Sequence, residues 1–489
     1  MQGNQGAGIA ISNACDNLIG GNRPSARNVI SGNGYDGIDI SHTGSKGNRI
    51  VGNYIGTDAT GTRYLPDGVP KGGTGVRIND SAENTVGGLA QGEGNLIMGI
   101  AMTNPGVIGN HILGNYINTD ITGSKAIMTG FGCGIVILQC SGNIIGPDNV
   151  ISGCTDAAIY LGSSDPSVPT ANTVIGNFIG TDPSGSIPVP NSIGVLIEGN
   201  SSNIIGGTAA DEGNIIAFSQ INSSGYGGSG VVIKTDWNDL VPVDNVVVGN
   251  QIFGNERLGI DLGDNNVPEM NDEGDFDEGP NRMMNLPVIE SVIATPSRLI
   301  IRGNIDTQNP ELTTIHFYGN SSPDEHAGYG EGEIYLGLVT PNKHGFFTAI
   351  LRPIGAQNDF HYVSATGTDV AGNTSEFSLC AEISESQGKS TAKSAHPFEF
   401  GLGQNFPNPF NPITAIEFHL PFVTHVSMTI YDALGKEIIK LADGEMTAGD
   451  HMVRWNGTDS RGQQVANGLY FCQLVTADYT NIRKMSLCR

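Results

Sequence analysis

The sequence predicts an all-β protein: a parallel β-helix of three-stranded coils, then two β-sandwich modules. Three observations predict it. Glycine supplies 70 of 489 residues and charged residues only 15%, against roughly 25% charged in average soluble domains. That balance suits many tight turns. Short apolar strands recur at a regular interval over residues 1–281, the mark of a repeat architecture. After Pro280 the recurrence stops and longer, turn-separated strands follow, as in a sandwich.

Each coil carries three kinds of strand. The first is a G-I-x-I segment that begins at Gly8, Gly37, Gly75, Gly99, Gly134, Gly194, Gly230 and Gly259, with "AIYL" at 158–161 in the same slot. The second follows an asparagine in N-x-I-G-G or N-x-I-x-G-N, at Asn17, Asn48, Asn84, Asn110, Asn143, Asn172, Asn203 and Asn245. The third is N-[VLI]-I at Asn28, Asn95, Asn149 and Asn214, replaced elsewhere by a Y-I-G-T-D phrase. Coils run about 24 to 38 residues between G-I-x-I starts, and two coils make one long repeat. Alternation turns both apolar residues of G-I-x-I inward and the x residue outward. One coil cannot bury its apolar face alone, whereas stacked coils bury a continuous core. Asparagine fits the corners because it tolerates left-handed backbone, and stacked corner asparagines can pair like rungs.

This pattern resembles the right-handed parallel β-helix repeat family of bacterial surface proteins and polysaccharide enzymes. The resemblance covers residues 1–281 and implies the fold rather than one function. The repeat begins directly after Met1 with "QGNQGAGIAIS" and shows no signal peptide, so an N-terminally truncated chain is expected.

A net charge of −25 repels nucleic acid and anionic lipid in the absence of a basic stripe. Acidic polysaccharides would need a bridging metal. The seven cysteines form no CxxC or zinc pattern; Cys133 and Cys154 fall on neighbouring coils. No run of 18 apolar residues occurs, so no membrane span is expected.

The outward column of the first strands reads Ala10, Asp39, Arg77, Ala101, Val136, Tyr160, Leu196, Val232 and Asp261. Asp39 and Arg77 are its charged neighbours and are expected to meet as a cross-strand ion pair. They are also the catalytic candidates, because "DGIDIS" at 36–41 resembles part of the polygalacturonase signature around a catalytic aspartate. The β-helix lacks that family's Asp-Asp-Cys, Gly-His-Gly and Arg-Ile-Lys motifs, and glycoside hydrolysis needs paired carboxylates. The apolar middle of the column predicts a covered face or a binding patch, which makes Tyr160 a binding candidate. The phrase "NYIGTDATGT" and its two copies place Asp58, Asp120 and Asp182 at intervals of 62 residues. Asp first and Gly fourth specify a type I turn, so these three read as structural corners. The loops that follow, 59–74, 121–133 and 183–193, are the expected ligand positions, with Arg63 and Tyr64 as binding candidates. The block "GIDLGDNNVPEMNDEGDFDEGPN" at 259–281 is dense in carboxylates. Calcium takes six to eight oxygen ligands, so Asp272, Asp275, Asp277 and Glu278 are calcium candidates that would clamp the end of the helix.

Residues 282–383 carry six turn-separated strands, and "SATGTDVAGNTSEFS" resembles the closing strands of bacterial immunoglobulin-like domains. Asp369 and Asn373 form a turn there. The polar stretch 384–396 reads as a linker. The last segment, 397–489, contains "LGQNFPNPFNPITAIEFHLP", "VSMTIYDALGKEIIKL", "AGDHMVRWNGTDSRGQQVANGLYFCQLV" and "RKMSLCR". These four motifs resemble the C-terminal sorting domain of the type IX secretion system. Pro407, Pro409 and Pro412 set an extended entry arm, Asp432 to Gly435 and Asp459 to Gly462 form turns, and Trp455, Tyr431 and Tyr470 are expected to fill its core. The full expectation is therefore a right-handed parallel β-helix followed by two immunoglobulin-like β-sandwich modules. The resemblance implies the type IX secretion machinery as partner and an extracellular or outer-surface location. It favours adhesion or binding of a polysaccharide or cell-surface glycan. A polysaccharide lyase or glycoside hydrolase and a passive stalk are the alternatives.

Overall fold

The computed structural model describes residues 4–67, 73–127, 132–168, 170–295, 298–323, 328–351, 360–385, 400–420, 424–447, 449–476 and 479–488. The chain forms two compact units, Met1–Ser386 and Gln387–Arg489. From residue 386 on, the expected linker at 384–396 lies outside the described residues.

The recurring strands build three parallel sheets of nine, eight and eight strands. The first sheet stacks Ile9–Ser12, Ile38–Ser41, Val76–Asn79, Ile100–Thr103, Ile135–Leu138, Ala157–Gly162, Ile193–Glu198, Val231–Lys234 and Ile260–Leu262. Its register pairs Ala10, Asp39, Arg77, Ala101, Val136, Tyr160, Leu196, Val232 and Asp261 in one unbroken column. The apolar residues on either side point inward and are buried. In the second and third sheets, columns Ile50–Val86–Ile112–Ile145 and Ile55–Ile97–Ile117–Ile151 face the same interior. Burial of each such side chain contributes about 1.5–3 kcal/mol, which is why this spacing fixes the coil.

Corner asparagines form two ladders along the stack, buried except at the first rungs Asn17 and Asn28. In one, the amides of Asn17, Asn48, Asn84, Asn110, Asn143, Asn172, Asn203 and Asn245 bond rung to rung. In the other the rungs are Asn28, Asn53, Asn95, Asn115, Asn149, Asn177, Asn214 and Asn250. Most of the carbonyl oxygens also accept a backbone N–H, as Asn110 Oδ1 does from Asn84 at 2.9 Å. Backbone and side chain thus satisfy each other where no water reaches.

A parallel coil left bare at its end would present a row of unpaired N–H groups. Here the following module takes them up. The N–H of Asp244 donates to Asn373 Oδ1 (2.7 Å), Val247 to Thr374 Oγ1 (2.9 Å), Gly249 to Tyr318 Oη (3.2 Å), Gly254 to Glu331 (2.6 Å) and Leu262 to Glu376 (2.7 Å). Asn245 donates to Asn281, the last amide of the first ladder. Ile252 and Gly332 exchange backbone bonds of 2.8 and 2.7 Å. Tyr318 and Phe377 join the β-helix core itself. The module is a sandwich around Ile301, Ile315, Phe317, Phe347 and Val363. Its strand Ala381–Glu385 pairs parallel with Val288–Thr295 and antiparallel with Tyr362–Thr368, joining the two sheets.

The second unit packs a three-stranded sheet and a four-stranded sheet around Phe410, Trp455 and Tyr470, with ring centroids 5.4 and 5.0 Å apart. Tyr431 is outside that core. Val426, Met428 and Ile430 alternate inward along Thr424–Asp432, so the next residue faces out, and Phe410 fills the expected place. Asp432 and Asp459 each accept the N–H three residues on, from Gly435 and Gly462.

Candidate functional site

Strands of the first sheet end in turns, and the residues at those ends converge from five successive coils. At about 4.8 Å per strand they line a face roughly 19 Å long. Asn104 and Gln139 follow their strands in left-handed backbone, φ 81° and 58°. Tyr160 comes from the outward column, Glu198 ends the next strand, and Asp236 and Trp237 follow the one after. Together they line a cleft of about 370 Å³. Trp237 is 82% exposed. Its neighbour Asp236 is only 6% exposed. Asp236 Oδ1 accepts the N–H of Asn238 (3.0 Å) and Leu240 (2.7 Å), which folds the loop and holds Trp237 outward. Asp236 Oδ2 is buried with no hydrogen-bond partner. Tyr160 Oη donates to Glu198 Oε2 at 2.8 Å. Burial first, and then this bond to Glu198, push the Tyr160 hydroxyl well above its ordinary range, so it stays a donor.

The cleft's floor is closed beneath. Leu196 and Val232 of the outward column are buried in a small apolar cluster with Ala157 and Ile193, packed by Tyr160, Tyr226 and Cys133. The apolar middle of the column is therefore a covered face there, not an open patch. Lys234 stands beside Glu198 in register, but its ammonium is held by Asp264 at 3.0 Å and lies 5.4 Å over the Tyr226 ring.

Arg77 does not pair with Asp39. Its Nε donates to Asp36 Oδ2 at 2.8 Å, and Asp36 also accepts the N–H of Thr74. Asp36 precedes Gly37 at the strand's entrance and is buried, whereas Asp39 is half-buried and, among the described residues, accepts only the Ser41 hydroxyl, at 3.3 Å. Burial and then the Asp36 charge raise the Asp39 carboxyl. Asp67 adds a third acid. It accepts both the N–H and the amide of Asn33, and burial above all pushes it up to about 6.

Asp58, Asp120 and Asp182 each accept the N–H of the glycine three residues on. Those glycines have φ of 66°, 69° and 72°, which a side chain would resist. Slight desolvation pushes the Asp58 carboxyl up, but the Thr60 hydroxyl and the N–H groups of Thr62 and Arg63 hold it below its ordinary value. Each corner opens a short hairpin, closed by bridges Thr57–Tyr64, Thr119–Ala126 and Thr181–Pro188. Tyr64 packs half-buried against Tyr54, Leu96 and Met98 on the third sheet, with Arg63 exposed beside it. Residues 68–72 and 128–131 of the expected ligand loops lie outside the described residues.

In the acidic block, Asp272 and Asp275 are half-buried and accept N–H bonds from Phe276 and Asn285, while Asp277 and Glu278 are exposed. Among the described residues no three His, Cys, Asp or Glu side chains converge to hold a metal. Burial and then the charges of Asp272, Asp369 and Asp277 push Asp275 up to about 6, and among the described residues Asp272 Oδ1 is buried without a hydrogen-bond partner. Cys133 and Cys154 are both free thiols, pushed up to about 12 by burial. Among the described residues no helix is long and apolar enough to cross a membrane.

The cleft was legible in one residue only, Tyr160. Glu198, Asp236 and Trp237 lie past the G-I-x-I positions that define the column. Their signal is "TDWND", a tryptophan among polar residues in a chain with two tryptophans.

Residues 414–479 match the FlgD Ig-like domain family. Among solved structures, 41% of the chain aligns with 20% of dimeric latent PorU from Porphyromonas gingivalis, at 15% identity and a TM-score of 0.17. It also aligns over 41% of its length with the whole CupB2 chaperone of Pseudomonas aeruginosa, at 12% identity and a TM-score of 0.13. The chain thus spans about a fifth of the length of PorU, and likenesses this low carry no functional argument.

Proposed function

We propose that this protein is a secreted or cell-surface β-helix protein that binds glycan in the cleft of Tyr160, Glu198, Asp236 and Trp237. The observation that carries the reading is the exposed Trp237 ring beside that polar wall. A flat aromatic face packs against the apolar face of a sugar ring, and the surrounding amide, hydroxyl and carboxylate groups take its hydroxyls. A solvent-exposed indole has no packing role that would otherwise account for it. Export by the type IX secretion machinery belongs to the same reading and rests on the motif series from residue 402; deletion of 402–489 is expected to leave the protein inside the outer membrane, and normal surface display of the deleted chain would refute that part. The main test is a glycan array probed with the wild type and Trp237→Ala. Wild type should bind one glycan class, and the variant should lose that binding at least tenfold with an unchanged melting temperature. Silence of the wild type on every glycan and cell surface would support a passive stalk instead.

A second reading, polysaccharide cleavage, rests on Asp36, which pairs with Arg77 and whose charge reaches both Asp39 and Asp67, since glycoside hydrolysis uses paired carboxylates. Incubation with pectin, alginate and neutral polymers, with and without calcium, reads new reducing ends or unsaturated products. Equal silence of wild type and Asp39→Ala removes this reading.

A further inference from the structure

We infer that the glycan taken by the Trp237 cleft bears free amines: an amino sugar rather than a neutral, N-acetylated or uronic one. This rests on the glycan-binding reading and adds the ligand's charge. Among the described lining residues the charged ones are Glu198 and Asp236, both acidic. Asp236 spends one oxygen on its own loop, and the other is buried without a donor. A carboxylate oxygen in that state lacks the hydrogen bond that would offset its burial; it is enclosed, so its negative charge acts on a ligand in the cleft through space rather than by contact. Glu198 receives the Tyr160 hydroxyl on Oε2, so that hydroxyl is already committed and Oε1 remains an acceptor. Lys234, opposite Glu198 in register, feels the Glu198 charge, but its hydrogen bonds go to Asp264 and Tyr226.

An ammonium group has three donors and no acceptor. It can donate to Glu198 Oε1, its charge is opposite to that of Asp236, and it is attracted to the indole face as well. An acetamido group keeps one N–H donor, loses the positive charge and adds an amide carbonyl whose oxygen would face carboxylates. A uronate would bring a like charge to the same wall, on a chain already at −25.

The test titrates the full chain with three oligomers of equal length: β-1,4-glucosamine, its N-acetylated form, and galacturonate. Polylysine serves as a charge control. The amine oligomer is expected to bind at least tenfold tighter than the acetylated one, and galacturonate not to bind. Glu198→Gln with Asp236→Asn should erase that preference. The Asn side chain keeps an oxygen for the Asn238 and Leu240 N–H groups, so the loop stays folded. Equal binding of the amine and acetylated oligomers overturns this inference and leaves the glycan reading standing. Amine binding that persists in Trp237→Ala, or that polylysine matches, is adsorption to an acidic surface and also overturns it. Silence toward all three oligomers, with a positive glycan elsewhere on an array, overturns the amine class alone; silence on the whole array removes both readings.

Discussion

Asn110 shows how much one residue carries in this fold. It is fully buried, accepts the Asn84 N–H and amide at 2.9 and 3.1 Å, and donates to Ser81 O and Asn143 Oδ1 at 3.1 and 3.0 Å. Truncation leaves the Asn84 backbone N–H without its acceptor in a dry corner and takes one bond each from the Asn84 amide and Asn143 Oδ1, which keep other partners; an orphaned buried group costs about 1–3 kcal/mol. Asn110→Ala is therefore expected to lower unfolding stability by at least about 2 kcal/mol, whereas the adjacent exposed His111→Ala stays within about 0.5 kcal/mol. Urea denaturation compares them; equal midpoints would show that the ladder contributes nothing net. The corner role of asparagine was legible because its short amide offers both a donor and an acceptor; the left-handed backbone expected with it is absent from the rungs, and only Asn281 at the end of the first ladder has a positive φ, 47°. The partner of Arg77 was not. Asp39 is its register neighbour, yet Asp36, from the turn before the strand, reaches the guanidinium. Register fixes Cα positions, and a long side chain chooses among all acceptors within its reach.

At the scale of elements, the outward column was readable residue by residue because strand alternation leaves no freedom once one face is buried. The cleft was not, because its walls come from turn residues of five coils whose spacing varies with each loop. The junction after the last coil was also hidden. The acidic block suggested a calcium clamp, whereas the described contacts are hydrogen bonds from the sandwich to the bare coil edge. Addition of a chelator is accordingly expected to leave the melting temperature of the 1–386 fragment unchanged; a fall of several degrees, restored by calcium, would show an ion at the block. Glu376 makes that junction sensitive to pH. It is buried, and burial pushes it up to about 8 from 4.5 although the N–H groups of Leu262 and Glu269 oppose the shift. A folded value above the unfolded one means that the folded state holds the proton longer. Its stabilising effect is full below about pH 4.5 and is lost as pH rises toward 8. Asp67, Asp261 and Asp275, pushed up to about 6, act in the same direction at lower pH. Between pH about 6.5 and 8 the melting temperature should fall in wild type and much less in Glu376→Gln. Identical slopes by calorimetry would place the cause elsewhere.

For the first unit as a whole, the sandwich and the β-helix are one folding object. Tyr318 and Phe377 lie in the helix core, and the final coil's N–H groups end on sandwich side chains and on the backbone of Gly332. A fragment ending at residue 281 exposes that edge and its apolar end together, which invites strand addition by a second copy. It is expected to assemble or precipitate by light scattering under conditions where the 1–386 fragment remains monodisperse; a monodisperse short fragment would show that the cap is dispensable. The ladders carry a further consequence. Successive rungs are bonded at the same distance in space, yet they stand 20 residues apart in sequence at Asn95 and Asn115 and 42 apart at Asn53 and Asn95 or at Asn203 and Asn245. The corners act as fixed type and the segments between them as interchangeable text. The Trp237 loop can be rewritten or lengthened without moving a core isoleucine, so the walls of the cleft can change while the scaffold stays as it is.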